Sequence, residues 1–288
     1  MLQWTASGAV STPRTVQIRV QRKHPERIAV GAPIPIRSLS TQELHANIRF
    51  FTEGMRGPRT TPCTRLVLSG IDIASRSDLE GTISLARQLG IHHIVLHCSA
   101  TDLFQETSVL SMVDRLVLPL PSHVAKSTQI GERLRYLGRV WTGLVRANDH
   151  QPEAADRLLL LAMKWMPAEL ILSAPFPLKP QTPPPDLEKM RKWLDAFARV
   201  VEPKGLPWRV QGLPSCYLGQ YWNRTRKAGN RWYVDSEHQQ DKALRFFPDV
   251  MQFHKSDSCR FCIADTHCDG FFPQWISNPL MPPLEPLS

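Results

Sequence analysis

Four cysteines in the C-terminal part of the chain have the spacing of a metal-binding site. Cys259 and Cys262 form a Cys-x2-Cys pair, and Cys268 follows after five intervening residues. Such a pair lets two thiolates approach one metal from a tight turn. Tetrahedral zinc and a cubane iron–sulfur cluster both need four ligands. Cys216, in the run Leu213-Pro214-Ser215-Cys216, is the candidate for the fourth ligand.

The spacing alone leaves the occupant of this site open. His254 and His267 compete with Cys216 as the fourth donor. Zinc and an iron–sulfur cluster fit the pattern equally well, while free thiols or a disulfide are the weaker interpretation in a reducing compartment. The other two cysteines carry no such pattern, because Cys98 lies in an apolar run and Cys63 merely precedes one.

Bulk composition is that of a globular protein with a basic surface. The 288 residues carry a formal net charge of +9 and contain no apolar run of membrane-spanning length. The opening residues, MLQWTASGAVSTPRT, lack the pattern of a secretion signal, so we expect a cytoplasmic protein without a membrane partner. Basic charge of this size is compatible with nucleic acid. The densest basic stretch is short, however, and a solvated basic face explains it better: Arg224, Arg226, Lys227 and Arg231.

Strand-like and helix-like segments alternate through the first two thirds of the chain. The predicted strands cover 15–20, 65–70, 94–98, 115–120, 140–145, 170–173 and 207–210. The predicted helices lie between them, with a capping box at Ser40–Glu43, a stop at Gly90 and an N-cap at Asp186. This alternation predicts an α/β fold with a parallel sheet, of the partial (β/α)6 barrel type, plus a small loop-rich metal-binding subdomain.

Changes in residue composition along the chain also predict three regions. They are a barrel over 1–205, a cysteine-rich subdomain over 206–277 and a proline-rich tail over 278–288. In parallel α/β folds the site lies at the carboxyl ends of the strands. The segment 231–238 (RWYVDSEH) is either a binding loop or an irregular segment with satisfied polar groups.

Two stretches of the chain resemble the radical S-adenosylmethionine (SAM) superfamily. LVLSGIDIASRSDLEGTISLARQLGIHHIVLHCSATDL resembles that family's second strand, the following helix and its third strand. Leu-Pro-x-Cys followed by Cys-x2-Cys-x5-Cys-x-Gly resembles the SPASM or twitch region, which holds an auxiliary cluster. The resemblance implies a [4Fe–4S] cluster on Cys216, Cys259, Cys262 and Cys268, with zinc as the alternative.

The chain departs from this family at the site of SAM cleavage. Family members hold the catalytic cluster through Cys-x3-Cys-x2-Cys just after the first strand, whereas the first cysteine here is Cys63. Gly70-Ile71-Asp72-Ile73 stands where the family has Gly-Gly-Glu-Pro, the motif that contacts the SAM amino group. Gly70 and Asp72 therefore mark an eroded SAM position. A loop without thiolates cannot hold a cubane there, so the pattern argues against reductive cleavage of SAM.

These observations predict an iron–sulfur pseudoenzyme. Its role would be electron transfer or substrate presentation, beside an intact radical SAM enzyme or a peptide substrate. One alternative is a repurposed barrel enzyme that uses Asp72, His97 or Asp102 and keeps a structural metal. The other is a basic nucleic-acid-binding protein stapled by zinc. The sequence names no catalytic residue and leaves open whether the chain is an enzyme.

Overall fold

Short strands and amphipathic helices alternate along the chain in this computed structural model. It describes residues 13–21, 37–54, 61–105, 108–120, 127–147, 151–174, 183–226, 229–246 and 253–288. The strands are β1 (Thr15–Arg19), β2 (Arg65–Ser69), β3 (His93–His97), β4 (Arg115–Pro119), β5 (Val140–Arg146), β6 (Glu169–Ser173), β7 (Trp208–Gln211), β8 (Arg231–Val234) and β9 (Leu244–Phe246). The helices are α1 (Thr41–Arg49), α2 (Leu79–Gln88), α3 (Val109–Met112), α4 (Ser127–Leu137), α5 (Ala155–Lys164), α6 (Leu187–Val200) and α7 (Pro273–Ile276).

The chain folds into two compact units. The first contains residues up to 98 together with 105–114 and 229–246, and the second contains 99–104, 115–228 and 247–288. The seven strands predicted from the hydrophobic pattern are confirmed as β1 to β7. The domain boundaries at 205 and 277 stay a prediction.

The sheet of the first unit is built around β1. Parallel pairing joins β1 to β2 and β2 to β3, with Ile18 opposite Leu68 and Leu68 opposite Leu96. On its other side β1 pairs in parallel with β8, where Ile18 lies opposite Val234, and β9 runs antiparallel to β8. All four of these aliphatic side chains are fully buried. The sequence pattern predicts no strand after residue 210, so β8 and β9 are additions from the structure.

The second unit contains its own run of parallel strands, from β4 through β5 and β6 to β7. Helix α6 covers it with a wide apolar face, because its buried residues recur at helical spacing: Met190, Trp193, Leu194, Ala196 and Phe197. Asp186 begins this helix as predicted, and its carboxylate accepts the backbone N–H of Lys189 at 3.0 Å.

Helix α1 has the predicted capping box. The Ser40 hydroxyl accepts the Glu43 N–H at 3.2 Å, and the Glu43 carboxylate accepts the Ser40 N–H at 2.9 Å. Gly90 follows the C-cap of α2, and its φ of 87° places it in the left-handed region that closes helices. Local chemistry therefore sets both helix ends.

A buried polar network attaches α1 to the loop after β8. Asn47, with no exposed surface, donates to the Gln239 side chain at 2.9 Å and accepts the Gln240 N–H at 2.8 Å. The Gln239 amide donates to Glu43 at 3.0 Å. None of the helices in the described ranges has both the length and the hydrophobicity that a bilayer crossing requires.

Replacing Asn47 by alanine tests this attachment. The change removes the three hydrogen bonds of a fully buried side chain, donated to Glu43 and Gln239 and accepted from the Gln240 N–H, so we expect a loss of about 1–3 kcal/mol in the free energy of unfolding. Urea unfolding followed by circular dichroism measures it. The control is Gln42→Ala on the exposed face of α1, which should change the free energy by about 0.5 kcal/mol or less. Equal effects of the two substitutions would contradict the role of the network.

The network also makes stability depend on pH. Hydrogen bonds from the Gln239 side chain and the Ser40 N–H lower the pKa of Glu43 from 4.5 to about 2. Because the folded-state pKa is depressed, the stabilisation is complete above about 4.5 and is lost as the pH falls towards about 2. We expect the stability difference between the wild type and Glu43→Gln to shrink over that interval, measured by urea unfolding at several pH values. A difference that stays constant would rule this out.

Candidate cysteine-rich metal centre

All four predicted ligands lie in the second unit, on three separate segments. Cys216 lies at the start of the 3-10 segment Ser215–Arg224, which follows β7. Cys259 lies in the 3-10 turn Asp257–Phe261, and Cys262 follows directly, with its N–H donating to the Cys259 carbonyl at 3.0 Å. The N–H of Cys268 donates to Ala264 at 2.9 Å. All four are half-buried free thiols.

Polar hydrogens surround the four sulfur atoms. Backbone N–H groups donate to two of them, and a third contacts a hydroxyl. Ser215 and Gly270 donate to Cys268 at 3.5 and 3.3 Å, Leu287 donates to Cys262 at 3.3 Å, and the Ser256 hydroxyl lies 3.2 Å from Cys259. The backbone N–H of Glu285 lowers the pKa of the fourth, Cys216. Such donors stabilise negative charge on sulfur, which is the ligating form of cysteine.

Three of the sulfurs are close enough to interact electrostatically. Burial raises the pKa of Cys216 to about 12, and the neighbouring thiols of Cys268 and Cys259 add to the rise. The Glu285 N–H acts in the opposite direction, because it stabilises the thiolate. A bound cation would reverse the repulsion between these thiolates, since coordinating thiols are deprotonated outright.

The donor set fits a thiolate-ligated group, although ligation itself stays a prediction. Four cysteines in one unit, with N–H groups aimed at their sulfurs, supply the ligand number and the outer hydrogen bonds that such a group needs. Within the described ranges, no three histidine, cysteine, aspartate or glutamate side chains are arranged as ligands of a single metal ion. Of the rival donors, the His267 ring contacts the Thr266 hydroxyl at 3.3 Å, and His254 is exposed.

Gly270 is required for the backbone around Cys268. Its φ is 95°, and a Cβ at this position would collide with the carbonyl oxygen of His254. His254 and Phe271 exchange two backbone hydrogen bonds, at 2.6 and 3.0 Å, which hold the turn closed. The glycine therefore lets the chain turn back sharply and aim its own N–H at the Cys268 sulfur.

The two residues predicted to mark an eroded SAM position, Gly70 and Asp72, line a cavity in the first unit. Gly70 and Asp72 follow β2, and with Val20, Gln21 and Arg76 they border a space of about 270 Å³ at the carboxyl ends of β1 and β2. Asp72 has a φ of 46°, an uncommon conformation for a residue with a side chain. The loop where the family places its catalytic cysteines falls on residues 22–36, which lie outside the described residues.

The loop after β8 contains a histidine oriented by a buried carboxylate. Asp235 is 1% exposed, and its carboxylate lies 2.9 Å from the ring Nδ1 of His238. Burial raises the pKa of Asp235, but the hydrogen bonds from the Glu237 N–H and from His238 outweigh it and hold the pKa below its usual value. Sequence reasoning singled out this segment without identifying the pair, because the contact depends on loop geometry.

Other predicted candidates have local structural roles. Asp102, which is buried, accepts the Ser99 N–H at 2.7 Å and the Ser99 hydroxyl at 2.8 Å. In the basic stretch, Arg224 forms an ion pair with Glu202 and stacks over Trp208 at 4.7 Å. Part of the charge that could contact nucleic acid is thus used within the fold.

Comparison with solved structures identifies the fold. SuiB of Streptococcus suis bound to S-adenosylmethionine has a TM-score of 0.60 and 10% identity, covering 92% of this chain and 74% of SuiB. A second SuiB structure has a TM-score of 0.58 and 10% identity, covering 85% of this chain and 63% of that one. Tryptophan synthase α-subunits from Pyrococcus furiosus score lower, one of them at 0.41 with 12% identity, covering 79% of this chain and 91% of its own.

The likeness to SuiB shows a radical SAM-like fold and, at this identity, the fold alone. It confirms the predicted α/β class of the partial-barrel type. No protein-family model and no curated protein matches the chain.

Thiol labelling tests this arrangement of cysteines. Burial raises the pKa of Cys63 to about 12, and its sulfur lies 3.5 Å from the Pro13 carbonyl oxygen. In metal-free native protein at mildly alkaline pH, we expect alkylation of Cys63 to be roughly tenfold or more slower than that of Cys262, because the thiolate is the reacting form. Peptide mass spectrometry measures both rates. In denaturant the two rates should converge, and fast native labelling of Cys63 would refute the placement.

Proposed function

We propose that this chain is an iron–sulfur protein with a radical SAM-like fold that does not cleave SAM. Its [4Fe–4S] cluster would be held by Cys216, Cys259, Cys262 and Cys268. It would act as an accessory subunit, in electron transfer or substrate presentation, for a radical SAM enzyme or a peptide- or cofactor-modifying system of the reducing cytoplasm. The observation that carries the proposal is that backbone N–H groups donate to the sulfurs of Cys262 and Cys268, in a unit that also contains the half-buried thiols of Cys216 and Cys259.

Ligation by four thiolates determines what such a cluster can do. A bound cluster supplies one-electron chemistry, with a potential set by charge, hydrogen bonds and exposure. Cleavage of SAM needs an iron with an open position, and a cluster with four cysteine ligands has none. The four cysteines of this chain would hold the cluster and shield it, while the loop after β1, which has no cysteine, offers no second thiolate site.

Zinc is the main alternative occupant. A zinc ion bound by the same thiolates would cross-link the segments that follow β7, and the chain would be a scaffold without redox activity. A repurposed enzyme is the second candidate. It is favoured by the cavity beside Gly70 and Asp72, which lies at the carboxyl ends of parallel strands, where α/β enzymes bind their substrates.

Anaerobic reconstitution decides between the metals. We expect about four irons and about four sulfides per chain, with broad charge-transfer absorption in the visible region. Substitution of Cys216 or Cys262 by serine should lower the iron content severalfold. The control is Cys63→Ala, which should retain it. A wild-type chain that binds about one zinc and no sulfide would overturn the proposal.

A further inference from the structure

The C-terminal segment Pro282–Leu287 lies across the cysteine centre. The Tyr217 hydroxyl donates to the Pro282 carbonyl at 2.5 Å, next to Cys216 in sequence. At the other end, the Ile263 N–H donates to the Leu287 carbonyl at 3.1 Å, next to Cys262. The segment is thus attached on both sides to residues adjacent to predicted ligands.

This segment also brings two backbone N–H groups to the cysteine sulfurs. The Leu287 N–H donates to Cys262 at 3.3 Å, and the Glu285 N–H is near enough to Cys216 to lower the pKa of its thiol. These two cysteines are far apart in sequence and lie on different segments of the second unit. One short stretch of backbone therefore contacts both ligand-bearing segments, through the Tyr217 hydroxyl on one side and the Cys262 sulfur on the other.

The composition of the segment limits which of its backbone N–H groups can donate to sulfur. Three of its six residues are prolines, which lack a backbone N–H, so only Leu284, Glu285 and Leu287 can donate. Two of these three donors face sulfur atoms. Prolines also restrict the unfolded chain and so reduce the entropy lost when the segment becomes ordered. Leu284 is 9% exposed and anchors the middle of the segment by burying its side chain.

We propose that Pro282–Leu287 is a sulfur-capping strap, in which the N–H groups of Glu285 and Leu287 raise the reduction potential of the cluster and protect Cys216 and Cys262 from solvent. The inference rests on the proposed function, because it concerns the cluster of that site. Reduction adds one electron to the cluster and increases the negative charge on its sulfurs. Donors aimed at those sulfurs therefore favour the reduced form.

Paired substitutions isolate the N–H group from the side chain. Leu287→Pro removes the donor, whereas Leu287→Ala keeps it, and Glu285→Pro and Glu285→Ala form the second pair. After anaerobic reconstitution, we expect each proline variant to lower the ratio of reduced to oxidised cluster about tenfold at a fixed solution potential. For a one-electron couple this corresponds to about 59 mV. The alanine variants should stay within about twofold of the wild type.

A truncated chain that ends at Pro283 tests the protection from solvent. It lacks both donors, so we expect a lower potential than in either proline variant and a severalfold faster release of iron to a chelator. Redox titration followed by absorbance and electron paramagnetic resonance gives the potentials, while iron and sulfide analysis confirms equal loading.

The outcomes separate the strap from the function it rests on. Loaded proline variants with the potential and iron release of the alanine variants would overturn the strap and leave the iron–sulfur assignment standing. Loss of the cluster in the proline variants alone would support the strap as part of the site. A wild-type chain that takes up no iron would overturn both.

Discussion

Parallel pairing on both sides of β1 is the constraint on which the first unit depends. β1 has five residues, and its register aligns Ile18 with Leu68 on one side and with Val234 on the other. A strand paired and covered in this way has no free edge, so it contributes to the core along its whole length. The pairing with β8 closes a loop of about two hundred residues. The entropic cost of closing such a loop grows only slowly with its length.

This pairing also brings chemically versatile groups to one edge of the sheet. The carboxyl ends of β1, β2 and β8 point the same way, because the three strands are parallel. Gly70 and Asp72 follow β2, and Asp235 with His238 follows β8. The Asn47 network then fixes the loop after β8 against α1, so the position of His238 depends on hydrogen bonds made by its sequence neighbours.

Periodic segments were predictable from the sequence, and segments defined by distant partners were not. The apolar runs that became β1 to β7 carry their own signal, as do the capping box at Ser40 and the N-cap at Asp186. β8 was not predicted, because the four residues RWYV are too few to show a periodic pattern and their strand is defined by pairing with β1 and β9. In the candidate site, the cysteine pattern is visible in the sequence. The N–H donors of Glu285 and Leu287 are invisible there, since any residue except proline can provide one.

The distribution of cysteines separates the stability of the fold from its chemistry. Val16, Ile18, Leu66 and Leu68 are fully buried at the centre of the first unit, so aliphatic packing forms this core. A chain without cysteines directly after β1 can therefore still form a radical SAM-like fold. In the second unit the cysteine segments have little regular structure, and their sulfurs are joined by backbone N–H groups and by the C-terminal strap. A bound cluster would there replace the packing that short loops cannot supply.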